Sequence, residues 1–255
     1  MTKKIKIIYT DHFINKTVTN AFAKGCAGES VHVNNHVTKK NELIATYGIL
    51  RGTGDILKLS KNFWYIDHGY FGSSKRIFSN RTHIINLDGY FRVVQNDFLH
   101  SGDGNCKSDR FDKLNIKCQP IRKSGEYIIL SEPSEYVKKF YDLNDWINNT
   151  IKKLEKYTDR KIYVHNKNSN IKLSDLLNKA WAFVSEQSTA GFQAMAQGVP
   201  AHYTYKTLKK INSLEEIESG KIDSKIFYNL AYGQWTLNEM QSGEAWNYLT
   251  NNKFK

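Results

Sequence analysis

The stretch that most restricts what this chain can become is Trp181-Ala-Phe-Val-Ser-Glu-Gln-Ser-Thr-Ala-Gly-Phe-Gln-Ala-Met-Ala-Gln-Gly-Val-Pro200. Ala182 to Ser185 is a short apolar run and reads as a buried strand. Ser188 or Thr189 caps the Ala-rich segment that follows, and Gly198 closes that helix. Val199 to Thr204 reads as the next strand, so the unit is strand, turn, helix, strand, the βαβ arrangement of a parallel sheet. A helix start with two hydroxyls beside it, at the carboxyl end of a strand, suits an anion such as a phosphate.

Similar alternation runs through much of the chain and predicts the α/β class. Ile5 to Tyr9, Val31 to Val33 and Thr46 to Leu50 read as strands, with a helix from Ile14 to Lys24 between the first two. Glycines in Arg51-Gly-Thr-Gly54 mark a flexible basic turn. Phe98 to Gln119 is polar and Gly-containing and reads as a long loop. A boundary falls between Pro120 and Gly125, after which Glu126 to Ser131 restarts a sheet. Leu143 to Tyr157 has the spacing of an amphipathic helix, Ile162 to Val164 is a strand, and Leu173 to Lys179 is a short helix. The stretches 227–235 and 236–249 read as two closing helices, in which Tyr228, Trp235 and Trp246 are packing residues. The domains expected are thus 1–122, 123–205 and a closing segment 206–255 that packs back on the first.

Composition narrows the function. No apolar run approaches the roughly 20 residues that cross a bilayer, and the start of the chain lacks the apolar length of a signal peptide, so a cytoplasmic protein without stable membrane insertion is expected. Cys26, Cys106 and Cys118 are odd in number and widely spaced, which predicts free thiols and no Cys-based metal site. A net charge of +12 draws polyanions, so DNA, RNA or an acidic polysaccharide are plausible partners; a codon bias toward Lys and Asn explains the same charge without a ligand. The oligomeric state is open.

Two further places carry chemistry. Asp11 follows the first strand, where active groups of open sheets gather, and is either a site carboxylate or the cap of the next helix. In Phe63-Trp-Tyr-Ile-Asp-His-Gly-Tyr-Phe-Gly72 a strand runs into Asp67-His68-Gly69 among aromatic rings. A carboxylate or imidazole near apolar rings can be tuned to take a proton, so Asp67, with His68 as runner-up, is the candidate base; an ordinary turn with a surface His is the alternative. Arg76 and Arg92 are interleaved with Tyr70 and Phe71, as are Lys75 and Arg81 nearby, which suits an acceptor-binding groove or a solvated rim over buried rings.

The pattern strand, S-T-x-G-F-x-A-x-x-x-G-x-P over Ser188 to Pro200 resembles the sugar-nucleotide half of two-domain glycosyltransferases, in particular capsule-polysaccharide and bacterial sialyl- and Kdo-transferase-like enzymes. The likeness covers residues 125–205. It implies a GT-B-like fold, two Rossmann-like domains facing a cleft, with closing C-terminal helices. It also implies a nucleotide-sugar donor as co-substrate; no DxD pair stands out in the sequence, so neither a metal nor another cofactor is expected. Ser188 and Thr189 would hold the donor phosphate together with His165, where Asn166 stands in place of the family's Pro. Ser131, Lys167 and Glu186 complete the donor-binding set, and Asp67-His68-Gly69 would match the acidic base and glycine of the sialyltransferase-like enzymes. With the basic charge, the expected reaction is glycosylation of a modified base in DNA by a phage-type enzyme. Glycosylation of surface polysaccharide, a non-catalytic nucleic-acid-binding protein and a sugar-nucleotide epimerase are the alternatives.

Overall fold

A computed structural model describes residues 4–39, 42–72, 76–79, 82–85 and 87–251. The chain divides into two compact units, Met1–His100 with Asn229–Lys255, and Ser101–Tyr228. The boundaries thus lie at 100/101 and 228/229, earlier than 122 and later than 205, because the 101–122 stretch and the segment up to Tyr228 belong with the second unit. Phe111 shows why: its ring stacks on Phe227 at 5.3 Å and leans on Tyr228 at 6.0 Å.

The first unit opens β1 (Lys6–Tyr9), α1 (Phe13–Gly25), β2 (Glu29–His32), β3 (Ile44–Tyr47), α2 (Thr53–Leu59) and β4 (Phe63–His68). A two-stranded antiparallel ladder, β5 (Arg76–Ser79) with β6 (Thr82–Ile85), precedes β7 (Phe91–Gln95). Strands β2, β1, β3 and β4 lie side by side and parallel, and β7 joins β4 antiparallel.

The second unit contains α3 (Asp109–Asp112), β8 (Tyr127–Ser131), α4 (Glu135–Tyr141), α5 (Trp146–Leu154), β9 (Lys161–His165), α6 (Leu173–Leu177), β10 (Ala180–Ser185), α7 (Ala190–Ala196) and β11 (Ala201–Tyr203). Its four strands are all parallel, in the order β11-β10-β8-β9. Every residue of β10 is buried, as expected of a central parallel strand. The first four strands of each unit follow one scheme, in which the second strand lies on one side of the first and the third and fourth on the other. In such sheets the point where the order reverses is where ligands bind, at the carboxyl ends of the strands.

The chain ends with α8 (Lys225–Tyr232), β12 (Gln234–Trp235), α9 (Leu237–Gln241) and α10 (Glu244–Asn251). Trp235 is therefore in a strand, pairing antiparallel with Phe91 of β7, rather than in a helix, and the last helix is broken in two. The break is at Gly243, whose φ of +86° is left-handed and which a Cβ would bring to 3.0 Å from the Gly25 carbonyl at the end of α1. That close approach lets α9 and α10 pack on α1. Trp246 then meets Phe22 at 5.8 Å and Trp64 at 5.5 Å, joining the core that also holds Ile7, Val18, Ile66, Phe91 and Trp235. The second unit has its own core of Ile128, Leu130, Trp146, Leu154, Ala182, Val184 and Ile217.

Candidate functional site

In the second unit the strand register puts four side chains in one row across the carboxyl edge: His165, Ser131, Ser185 and Tyr203. Neighbours in such a row are about 4.8 Å apart. The strand order reverses between β8 and β10, so Ser131 and Ser185 bracket the reversal, followed at once by Glu132 and Glu186.

The start of α7 is more occupied than its sequence suggests. Ser188 N–H donates to Ser185 Oγ at 3.2 Å and Ala190 N–H to Ser188 Oγ at 3.3 Å. Gly191 and Phe192 N–H donate to the Ser188 and Thr189 carbonyls. With seven residues, α7 is also too short to build a macrodipole of consequence. What stays open is Thr189, whose N–H and hydroxyl have no partner among the described residues. Ser188 is thus the turn-former, and Thr189 the group left to meet a ligand.

His165 Nε2 lies 3.1 Å from the Ile171 carbonyl and must donate to it, which fixes the tautomer and leaves Nδ1 without a proton unless the ring is charged. Lys167 follows in an exposed turn with no partner among the described residues. Asn166, in place of the family's Pro, builds that turn: its side-chain oxygen accepts from Asn168 N–H at 3.0 Å and its amide donates to Glu132 at 3.2 Å. Glu132 also accepts from Lys138 at 2.5 Å. That bond is the main reason its carboxyl lies below the usual range; burial pushes the other way and the Asn166 amide adds to the lowering. Sequence reasoning missed Glu132 and Lys138, although a carboxylate directly after the Ser131 strand end was the available signal.

Glu186 is buried. Its Oε2 accepts from Trp146 Nε1 at 3.0 Å and from the Thr204 hydroxyl. Beside it the Tyr141 hydroxyl donates to Gln187 at 3.2 Å, and the Tyr141 ring meets Tyr205 edge-on at 5.6 Å.

In the first unit several of the expected site residues are engaged by the protein itself. Asp67 accepts from the Tyr65 hydroxyl at 2.6 Å and is ion-paired to Arg92 at 2.9 Å. Burial would raise its pKa, but Arg92, the Tyr65 hydroxyl and the charge and N–H of His68 together hold it below the usual carboxylate range. A base working near neutrality needs the opposite shift. Arg92 also donates to the His68 carbonyl at 2.6 Å and the Phe98 carbonyl at 3.1 Å and lies over the Tyr65 ring at 5.5 Å, so its guanidinium is engaged by the protein and not offered to an acceptor. Tyr70 and Phe71, expected on an acceptor surface, are core residues. The Tyr70 hydroxyl accepts from His100 N–H, and burial, its largest influence, pushes its pKa up to about 12. Arg76 begins β5 but its side chain is outside the described residues, as are Lys75 and Arg81. Among the described side chains of the expected acceptor groove, Tyr70, Phe71 and Arg92 are thus engaged within the protein.

His68 Nε2 lies 3.2 Å from the Tyr47 hydroxyl, its ring stacked on Phe91. Asp11 is 85% exposed and one of its oxygens lies 3.3 Å from His32 Nε2, at the ends of the adjacent strands β1 and β2. Among the described residues it is the most open of the expected catalytic groups in this unit.

Among the described residues no three His, Cys, Asp or Glu side chains gather as a metal would require, and no helix is long and apolar enough to cross a membrane.

No protein-family model matches the sequence, and no curated protein matches it. Solved structures do. KpsC of Thermosulfurimonas dismutans, a β-Kdo 2,4 transferase, matches with a TM-score of 0.52 at 12% identity, over 92% of this chain and 92% of that one. KpsC of the same organism in a β-Kdo 2,7 transferase structure matches with a TM-score of 0.54 at 10% identity, over 98% and 99%. The likeness is one of fold. It places the chain among α/β proteins with parallel, Rossmann-like sheets of the kind these transferases use.

Proposed function

We propose that the protein is a glycosyltransferase whose second unit holds a nucleotide-sugar donor at the carboxyl edge of its sheet. The observation that carries this is the gathering of His165, Ser131 and the open Thr189 around the reversal of strand order, on a fold like that of the KpsC transferases. As the bond to the sugar breaks, negative charge develops on the departing phosphate. Thr189 N–H and hydroxyl, His165 and Lys167 are the groups that meet it. No metal enters the scheme, so chelation is expected to leave transfer unchanged.

Surface polysaccharide is the acceptor favoured here over DNA. The residues that suggested a DNA path, Tyr70, Phe71 and Arg92, are buried or engaged, whereas the structures of like fold are named for Kdo transfer. Asp11 is the base we propose for the acceptor hydroxyl, since it is exposed at a strand end while the Asp67 carboxylate is engaged by Arg92 and Tyr65.

The test is incubation with UDP-, GDP- and CMP-sugars, with capsule-type oligosaccharides or hydroxymethylated DNA as acceptor, reading released nucleotide and acceptor mass. A sugar added to the oligosaccharide supports the proposal. A sugar added to DNA keeps the transferase and reverses the acceptor, and no nucleotide release with any donor overturns the transferase.

A further inference from the structure

The Asp11 side chain is 85% exposed, and the start of α1 makes no use of it: His12 stands at the cap position and no side chain caps the helix. An exposed carboxylate at a strand end ordinarily samples several rotamers. Here one neighbour restrains it. His32, at the end of the adjacent β2, places Nε2 3.3 Å from Asp11 Oδ2, within hydrogen-bond reach, and its own side chain is only 18% exposed. The other oxygen of Asp11, Oδ1, has no partner among the described residues.

The imidazole is held from two further sides. Its Nδ1 accepts the Asn34 N–H at 3.3 Å, which caps the short turn Val33–Asn35. The ring of Tyr9, its register partner on β1, meets it edge-on at 5.2 Å. With Nδ1 accepting, the proton of the neutral ring sits on Nε2, the nitrogen beside Asp11. A contact with so exposed a carboxylate contributes little to stability, so an imidazole anchored twice over for that one contact is suited to aiming the carboxylate. We infer that His32 is a positioning residue, whose Nε2–H holds Asp11 Oδ2 and leaves Oδ1 turned to the acceptor hydroxyl. This rests on the reading of Asp11 as the base. In that step the acceptor oxygen bonds to the anomeric carbon of the donor sugar, and the bond from that carbon to phosphate breaks with its electron pair leaving on the nucleotide. The hydroxyl proton passes to Asp11, and His32 keeps its own.

Two substitutions separate aiming from capping. His32→Asn keeps an acceptor near the place of Nδ1, so the Asn34 cap survives, but its side chain is too short to reach Asp11. His32→Gln carries a donor to the place of Nε2 and restores the contact with Asp11. A residue that served only as a cap would tolerate the first better than the second.

Steady-state rates of the full chain, with the UDP-, GDP- and CMP-sugars and capsule-type oligosaccharides named above, read the outcome, with Tm measured alongside. His32→Asn is expected to lower kcat by on the order of tenfold or more while leaving the acceptor KM and Tm unchanged, and His32→Gln to recover most of the loss. Adding His32→Asn to Asp11→Asn should cost nothing further, because the restraint acts only through that carboxylate. An unchanged kcat in His32→Asn, or a loss that His32→Gln does not recover, overturns the inference, while loss of transfer in Asp11→Asn alone keeps Asp11 as the base. Full transfer by Asp11→Asn, or none by the wild type, removes the reading beneath the inference and the inference with it. Long-range proton–nitrogen NMR spectra of the wild type decide even where a variant does not fold: a neutral His32 ring protonated at Nε2 supports the inference, and one protonated at Nδ1 overturns it.

Discussion

Asp67 and His165 show how a neighbour decides what a titratable side chain can do. Asp67 has the sequence context of a base, but Arg92 and Tyr65 bind its charged form. Asp67→Asn leaves Arg92 without its counter-charge and is expected to cost about 1–3 kcal/mol, read as a lower midpoint in denaturant unfolding. If Asp67 were the catalytic base, the same variant would lose transfer with stability intact. His165 is held differently. Its Nε2–H is given to the Ile171 carbonyl, and Nδ1 is the ring nitrogen without a partner among the described residues. His165→Ala is expected to weaken donor binding by roughly tenfold at unchanged Tm, read by titration calorimetry.

At the scale of elements, the docking of the last two helices depends on the turn at Gly243. Gly243→Ala puts a side chain at a φ of +86° and against the Gly25 carbonyl, and is expected to cost about 1–3 kcal/mol, seen as a fall in Tm. The central βαβ unit was legible because hydrophobic runs and a helix start are local signals, and β10, α7 and β11 lie where the pattern puts them. Strand β12 was not legible: Gln234 and Trp235 are a strand only because β7 offers an unpaired edge far away in sequence. The long helix expected from Leu143 to Tyr157 is the shorter α5, preceded by α4 that was not foreseen, with Asp142 and Asp145 at left-handed φ between them. The same limit applies to the site. Which residues stand at strand ends could be read, but whether Arg92 faced a ligand or Asp67 could not, since that depends on the pairing of β4 with β7.

Across the whole molecule, acid sensitivity should come from two covered imidazoles, His36 in the first unit and His202 in the second. His202 donates from Nδ1 to the Ser213 carbonyl at 2.7 Å with Nε2 buried and unpartnered, and both ring nitrogens of His36 are buried without a hydrogen bond among the described residues. Burial, the leading cause in each, lowers both from the ordinary value of 6.5, against the opposing pull of Glu42, 3.9 Å from His36, and of the Ser213 carbonyl, Glu216 and Glu218 near His202. Below 6.5 the unfolded chain takes up protons that the folded rings refuse, so stability is full above that pH and declines as pH falls toward the folded values. Melting curves from pH 7 downward should show the loss, and His202→Gln should reduce it. The central claim is that the edge of the second sheet binds a nucleotide-sugar. Its most direct test is nucleotide release from a donor panel by the wild type and by Thr189→Val, which removes the open hydroxyl while keeping the shape of the side chain. The account predicts release by the wild type and a loss on the order of tenfold or more in the variant at unchanged Tm; equal rates for the two proteins would contradict it.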